Sequence, residues 1–213
     1  MIYFKGVHIM KKKIITGTIL TVSCIGLFFA GFNANATVFG FKWAHKSGNF
    51  ALVKASTSNL NSTYNGSAFT NGIAKWNGAA GAHIAIQSST VANANVDLHS
   101  VTKAQWTSNG WGSTNYAVTV PYNNGVACAS GAAFSDPNDL CPTRADYAAI
   151  YFNQGYEYSN QDKKEALVAH EIGHAVGLSH TAYIGVQTVM AQGLSKGTDV
   201  TAYDIGELNS LYP

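Results

Sequence analysis

Apolar positions recur at two different periods along the 213-residue chain, and the change from one to the other orders its elements. Runs suited to strands come first, over 50–55, 83–87, 95–101, 116–121 and 147–153, the last built on Ala148-Ala149-Ile150-Tyr151-Phe152. Their lengths and composition predict strands of one sheet. Between the first two, Phe69, Ile73 and Trp76 recur at spacings of four and three, which predicts a helix over 67–76 stopped by Gly78 and Gly81. A second helical period runs over 159–177, with Ser159 or Asn160 as cap, Asp162 and Glu165 near the positive end, and Val168, Ile172 and Ala175 facing a core. A last helix over 201–211 carries Ile205 and Leu208. Strands first and helices later predict an α+β domain.

The first 36 residues stand outside this pattern. Lys11, Lys12 and Lys13 precede an apolar run over 14–32 that closes on Ala34-Asn35-Ala36. A basic patch, an apolar stretch and small residues at the third and first positions before a cut are the layout of a secretory signal peptide, here cleaved after Ala36. Left uncleaved, the run of roughly 19 residues is long enough to anchor in a membrane. The chain therefore reads as a signal over 1–36 and one domain over 37–213, secreted to the extracellular space. Four of the 13 Lys and Arg residues and none of the 11 Asp and Glu residues lie in the signal, so the mature domain is slightly acidic. With no basic stripe it is not built for nucleic acid. Cys24 leaves with the signal, and Cys128 and Cys141 remain to form one disulfide, as suits an exported protein.

The chemistry is concentrated in His170-Glu171-Ile172-Gly173-His174-Ala175-Val176-Gly177-Leu178-Ser179-His180. From this chain's composition such a set of offsets arises by chance on the order of once in 10^5 sequences, so coincidence explains it poorly. Residues four apart on a helix point the same way, and His170 and His174 can present two nitrogens to one ion. Gly177 can take a left-handed conformation that ends the helix and turns the chain back, bringing His180 as a third ligand. Three neutral imidazoles on a tetrahedral zinc leave one position for water, the arrangement of a catalytic rather than a structural site. Zinc lowers the pKa of such a water to about 7, and Glu171 is placed to act as its general base. The set predicts a zinc endopeptidase with one catalytic ion.

At these residues the chain resembles the metzincin metalloproteases, and more narrowly the matrixin-like group with its bacterial secreted members. Met190, in Thr188-Val189-Met190, stands ten residues after His180, where the family has a methionine turn beneath the histidines. The segment Tyr203-Asp204-Ile205-Gly206-Glu207-Leu208 resembles the matrixin C-terminal helix, whose aspartate supports that turn. The resemblance implies a twisted mixed sheet above an active-site helix, a C-terminal helix and a small lower subdomain, with the strand near 116–122 pairing with extended substrate. Gln192 stands where other metzincin groups place a tyrosine beside the zinc, so no tyrosine ligand is expected. Matrixins also carry a structural zinc and calcium; His83, Asp97 and His99 do not reproduce that ligand set, and a second Zn2+ or Ca2+ is only a minor expectation. His45 reads as a solvated surface imidazole. Val189, Ala191 and Leu194 beside the zinc suggest an apolar residue after the scissile bond. The implied partner is a protein or peptide substrate, bound by a monomer with no stable membrane association once the signal is removed.

The competing expectation is a secreted adhesive or recognition module that keeps a zinc fold and binds without turnover. Trp106, Trp111, Tyr116 and Tyr122 lie close together in sequence and suit stacking on a sugar or peptide. A Glu171→Ala variant separates the two: a peptidase loses turnover and keeps zinc, whereas a binding module keeps its function.

Overall fold

Small and β-branched side chains alternate inward along the longest strand, β3 (Phe50–Asn59), where Ala51, Val53 and Ala55 are buried. That alternation gives the sheet one apolar face. In the computed structural model, which describes residue 39 and residues 41–128, 144–181, 186–192 and 197–213, β3 organises a mixed sheet. β4 (Ile84–Ser88) lies parallel along its first half, Ala51 opposite Ile84, and β5 (Val96–Val101) parallel along its second half, Ala55 opposite Val96. β9 (Tyr147–Asn153) follows parallel to β5, and β6 (Ala117–Asn123) pairs antiparallel with β9, Thr119 opposite Ile150.

Short strands trim this sheet. β2 (Lys46–Ser47) pairs with the start of β3, and β7 (Val126–Ala127) folds back on the end of β6. That hairpin turns on Asn124 and Gly125, both at positive φ (52° and 76°), the conformation that Asn-Gly adopts at least cost. β1 (Lys42–Trp43) and β8 (Arg144–Ala145) make a separate two-stranded ladder.

Helices α1 (Ser67–Asn77) and α3 (Gln161–Ala175) pack on each other and on the apolar face of the sheet. Phe69, Trp76, Val168 and Ile172 meet Val53, Leu98, Ile150 and Phe152 in one buried cluster. The helices approach closely because residue 72 is glycine: a Cβ there would sit 2.7 Å from Val168 Cβ. Trp76 Nε1 donates to the Ala169 carbonyl at 2.8 Å and fixes the pair in register. α4 (Ala202–Leu211) ends the chain, and Tyr212 donates its hydroxyl to the Val176 carbonyl at 2.6 Å while accepting from the Trp43 N–H at 2.8 Å.

The α+β class and the metzincin-like arrangement of sheet, active-site helix and C-terminal helix are as the sequence predicts. The helix near the active site is shorter than expected, with Asn160 as its cap, accepting from the Lys163 N–H at 3.0 Å. The sequence reading contains no counterpart of α2 (Lys103–Ser108), whose single buried residue, Trp106, is too little to show a period. His45 is not merely solvated: its Nε2 lies 2.7 Å from the Asp146 carbonyl, to which it donates. Among the described residues no helix is long and apolar enough to cross a membrane. The signal peptide over 1–36, Cys141 of the expected disulfide, and Leu194 lie outside the described residues.

Candidate metal centre

Helix α3 is buried on nearly every side from Glu165 to Ala175, which is why its apolar stripe is weak while its polar residues are meaningful. Three of those buried polar residues are His170, Glu171 and His174. The helix then ends in two bonds, Gly177 N–H to the His174 carbonyl at 3.1 Å and Leu178 N–H to the Gly173 carbonyl at 3.0 Å. This is a Schellman closure, and it depends on Gly177, whose φ is +106° and whose absent Cβ would lie 2.8 Å from the Phe41 carbonyl oxygen. The reversal brings His180 back over the helix.

The three imidazoles converge through their Nε2 atoms. His170 and His174 are 3.0 Å apart there, His170 and His180 3.2 Å, and His174 and His180 3.3 Å. Hydrogen bonding does not account for this approach. His170 Nδ1 donates to the Val189 carbonyl at 2.7 Å and His174 Nδ1 to the Leu178 carbonyl at 2.8 Å, so in the neutral rings both Nε2 atoms carry lone pairs. Lone pairs held this close repel unless a cation sits among them. Two ligands about 2.0–2.1 Å from one ion at a tetrahedral angle are about 3.3–3.4 Å apart, so this donor set fits zinc. Burial holds His170 down at about 3, with His180 adding to the effect, and it lowers His174 well below its ordinary value. The imidazoles are thus kept neutral, the form that coordination of a metal requires.

The turn beneath the site is tied to it. Ala191 N–H donates to the Thr188 carbonyl at 3.0 Å, which closes a turn over Val189 and Met190. Val189 supplies the carbonyl that orients His170, and the Met190 sulfur fills the space left by Gly173, where any Cβ would run into it. Asp204, 1% exposed, anchors the turn from α4: it accepts from the Thr188 hydroxyl and, through Oδ2, from Thr201 N–H at 2.8 Å. Phe39 packs on His174 with ring centroids 5.6 Å apart.

Glu171 is 4% exposed, next to His170, and accepts a hydrogen bond from the Thr119 hydroxyl at 2.6 Å. Burial raises its carboxyl to about 7, and the Thr119 hydroxyl partly opposes that rise. The sequence reading names Glu171 but not Thr119, although a hydroxyl between inward-facing Ala117 and Pro121 of a strand is the signal that marks it. The carbonyls of Val189 and Leu178 leave no such signal, since any residue offers one.

Other residues singled out from the sequence lie elsewhere. His83 donates Nδ1 to the Tyr212 carbonyl at 2.6 Å, Asp97 accepts from the Tyr147 hydroxyl at 2.7 Å, and His99 stacks on Tyr151. Among the described residues His170, His174 and His180 are the one group of three or more such side chains gathered to hold an ion. The aromatics are spent on internal contacts: Trp106 is 1% exposed and packs edge-on against Trp111, Trp111 rests on Tyr151, Tyr122 on Tyr147, and Tyr116 stacks on Tyr158.

A comparison with curated proteins finds no match. The model of the dual-action HEIGH metallo-peptidases matches residues 50–210, a span that includes β3 to β9, the three histidines and most of α4. The letters of that description are those of His170-Glu171-Ile172-Gly173-His174. With three quarters of its length matched and a donor set shaped for zinc at that pentapeptide, the chain belongs to the dual-action HEIGH metallo-peptidase family.

Proposed function

We propose that this zinc-dependent metallopeptidase is a secreted, matrixin-like endopeptidase in which His170, His174 and His180 are the zinc ligands and Glu171 is the general base. The observation that carries the reading is the convergence of three imidazole Nε2 atoms within 3.3 Å of one another beside the buried Glu171 carboxyl. Zinc bound there supplies a Lewis acid that polarises a peptide carbonyl and acidifies water at neutral pH. Glu171 accepts the proton of the attacking water and passes it to the departing amine nitrogen. The Val189 and Leu178 carbonyls hold two imidazoles in the tautomer that leaves Nε2 to the metal. Among the described residues nothing pairs with the second edge of β6 over 117–120, which supports docking of an extended substrate as an added strand.

Secretion rests on the layout of residues 1–36, and protein recovered from culture medium should begin at Thr37. The same export favours a Cys128–Cys141 disulfide. The test of the central reading is hydrolysis of casein or a quenched peptide library by the purified protein, with and without a zinc chelator, beside Glu171→Ala. Cleavage that stops with chelator, returns with zinc and is absent in the variant upholds it. A folded, zinc-loaded protein that cuts nothing refutes it.

A further inference from the structure

Strand β6 does two things at once at this site, and the histidine motif accounts for neither. Its inward-facing positions are Ala117, Thr119 and Pro121, and Thr119 alone among them has a side chain able to donate. It is 3% exposed, and its Oγ1 lies 2.6 Å from Glu171 Oε2 and 3.0 Å from the Glu171 carbonyl oxygen. A hydroxyl has one proton, and the shorter contact, to the carboxylate, is where it goes. The strand is not free to drift, because Thr119 is registered against Ile150 of β9. The threonine side chain is itself stiff, as a β-branched residue in a strand has few rotamers. One oxygen of the buried carboxylate is therefore fixed by the same strand whose second edge over 117–120 has no partner strand among the described residues.

We infer that Thr119 is a positioning residue for Glu171. It occupies Oε2, leaves proton transfer to Oε1, and ties the side-chain rotamer of the base to the strand that receives substrate. The inference rests on the reading of Glu171 as general base, and it adds a coupling: whatever displaces β6 displaces the base with it. A bystander role is the alternative, in which the hydroxyl only satisfies a buried acceptor and stabilises the fold.

The test uses Thr119→Val, which keeps the shape and removes the donor, and Thr119→Ser, which keeps the donor. The chain has four glutamates, Glu157, Glu165, Glu171 and Glu207, so protein labelled with 13C at glutamate carboxyls gives few signals, and Glu171→Gln identifies the relevant one. Thr119→Val should shift the Glu171 carboxyl signal alone and lower kcat about tenfold at unchanged zinc content, with KM within about twofold. Thr119→Ser should restore both. An unmoved Glu171 signal with wild-type kcat in Thr119→Val overturns the inference. So does a loss of kcat that only follows a fall in Tm and is not rescued by serine. A Glu171 signal that shifts in Thr119→Val, beside a wild-type protein that hydrolyses nothing, leaves the contact standing but overturns the base assignment on which the inference depends.

Discussion

Replacing either of two helical glycines by alanine gives opposite results according to what stands where the methyl group would go. Gly206 lies inside α4 with nothing within 4 Å of an added Cβ. Gly173 lies inside α3 with the Met190 sulfur in that place and Trp76 Cζ2 3.3 Å away. Alanine is preferred over glycine in a helix interior by about 1 kcal/mol, and that gain is common to both sites. At residue 206 it stands alone, so Gly206→Ala should raise Tm by about 2–4 °C in a domain of this size. At residue 173 it is set against overpacking, typically about 1–3 kcal/mol, so the two variants should differ by roughly 2 kcal/mol, or about 4–8 °C.

The clash also has an address. Met190 is buried and adjoins Val189, whose carbonyl lies 2.7 Å from His170 Nδ1, so if the methionine shifts by moving its turn, Gly173→Ala should weaken zinc retention as well as stability. Gly72→Ala is the control, since its Cβ would strike Val168 and the Glu165 carbonyl, on the flank of α3 away from the ligating nitrogens. It should lower Tm yet leave zinc affinity within about twofold, whereas Gly173→Ala should lower that affinity about tenfold, as loss of an outer partner of a ligand does. Calorimetry and competition with a coloured chelator measure the two quantities. If Gly173→Ala stabilises as much as Gly206→Ala and holds zinc as tightly as wild type, the methionine turn does not constrain the site.

Three further outcomes follow from the same geometry. Glu171→Gln should keep zinc and lose at least about 100-fold in kcat, measured on a quenched peptide. In zinc-free protein the same substitution should be stabilising at high pH: the Glu171 carboxyl stands at about 7 when folded against an ordinary 4.5, so the wild type loses stability as pH rises through that window. The difference in unfolding free energy, measured by urea titration, should reach about 3 kcal/mol above pH 7 and fall nearly to zero at pH 4.5 and below, and a constant difference across that range would contradict it. Asp204→Ala removes the acceptor of Thr188 and Thr201 at a buried position, which should cost about 2–4 kcal/mol and lower Tm by about 4–16 °C.

The fold was legible wherever a period was long enough to be read. Residues 147–153 form β9 with the bounds their composition suggested, because an inward Ala148, Ile150 and Phe152 leave no other pairing. β3 runs on to Asn59, four residues past the expected end, since Ser56 to Asn59 are polar and yet pair with β5 across an irregular register. Backbone pairing carried those residues into the strand, and a hydrophobicity pattern does not record it. α2 had a signal of another kind: Thr102 and Gln105 form a capping box, but six residues with one buried side chain show no stripe.

The site divides along the same physical line. Ligand spacing is a property of one helix, so His170, His174 and the need for Gly177 could be read from offsets alone, and a third ligand followed from the turn. What holds those side chains comes from chain segments far away in sequence. The Val189 carbonyl reaches His170 across 19 residues, and Thr119 reaches Glu171 across 52. A carbonyl has no residue type and a strand hydroxyl has no fixed offset to a helix carboxylate, so neither is encoded as a motif. Both are encoded as fold: β6 must stand antiparallel to β9, and α3 beneath it, before Thr119 touches anything. The motif therefore specifies which chemistry is possible, while the sheet decides how firmly Glu171 is held for it.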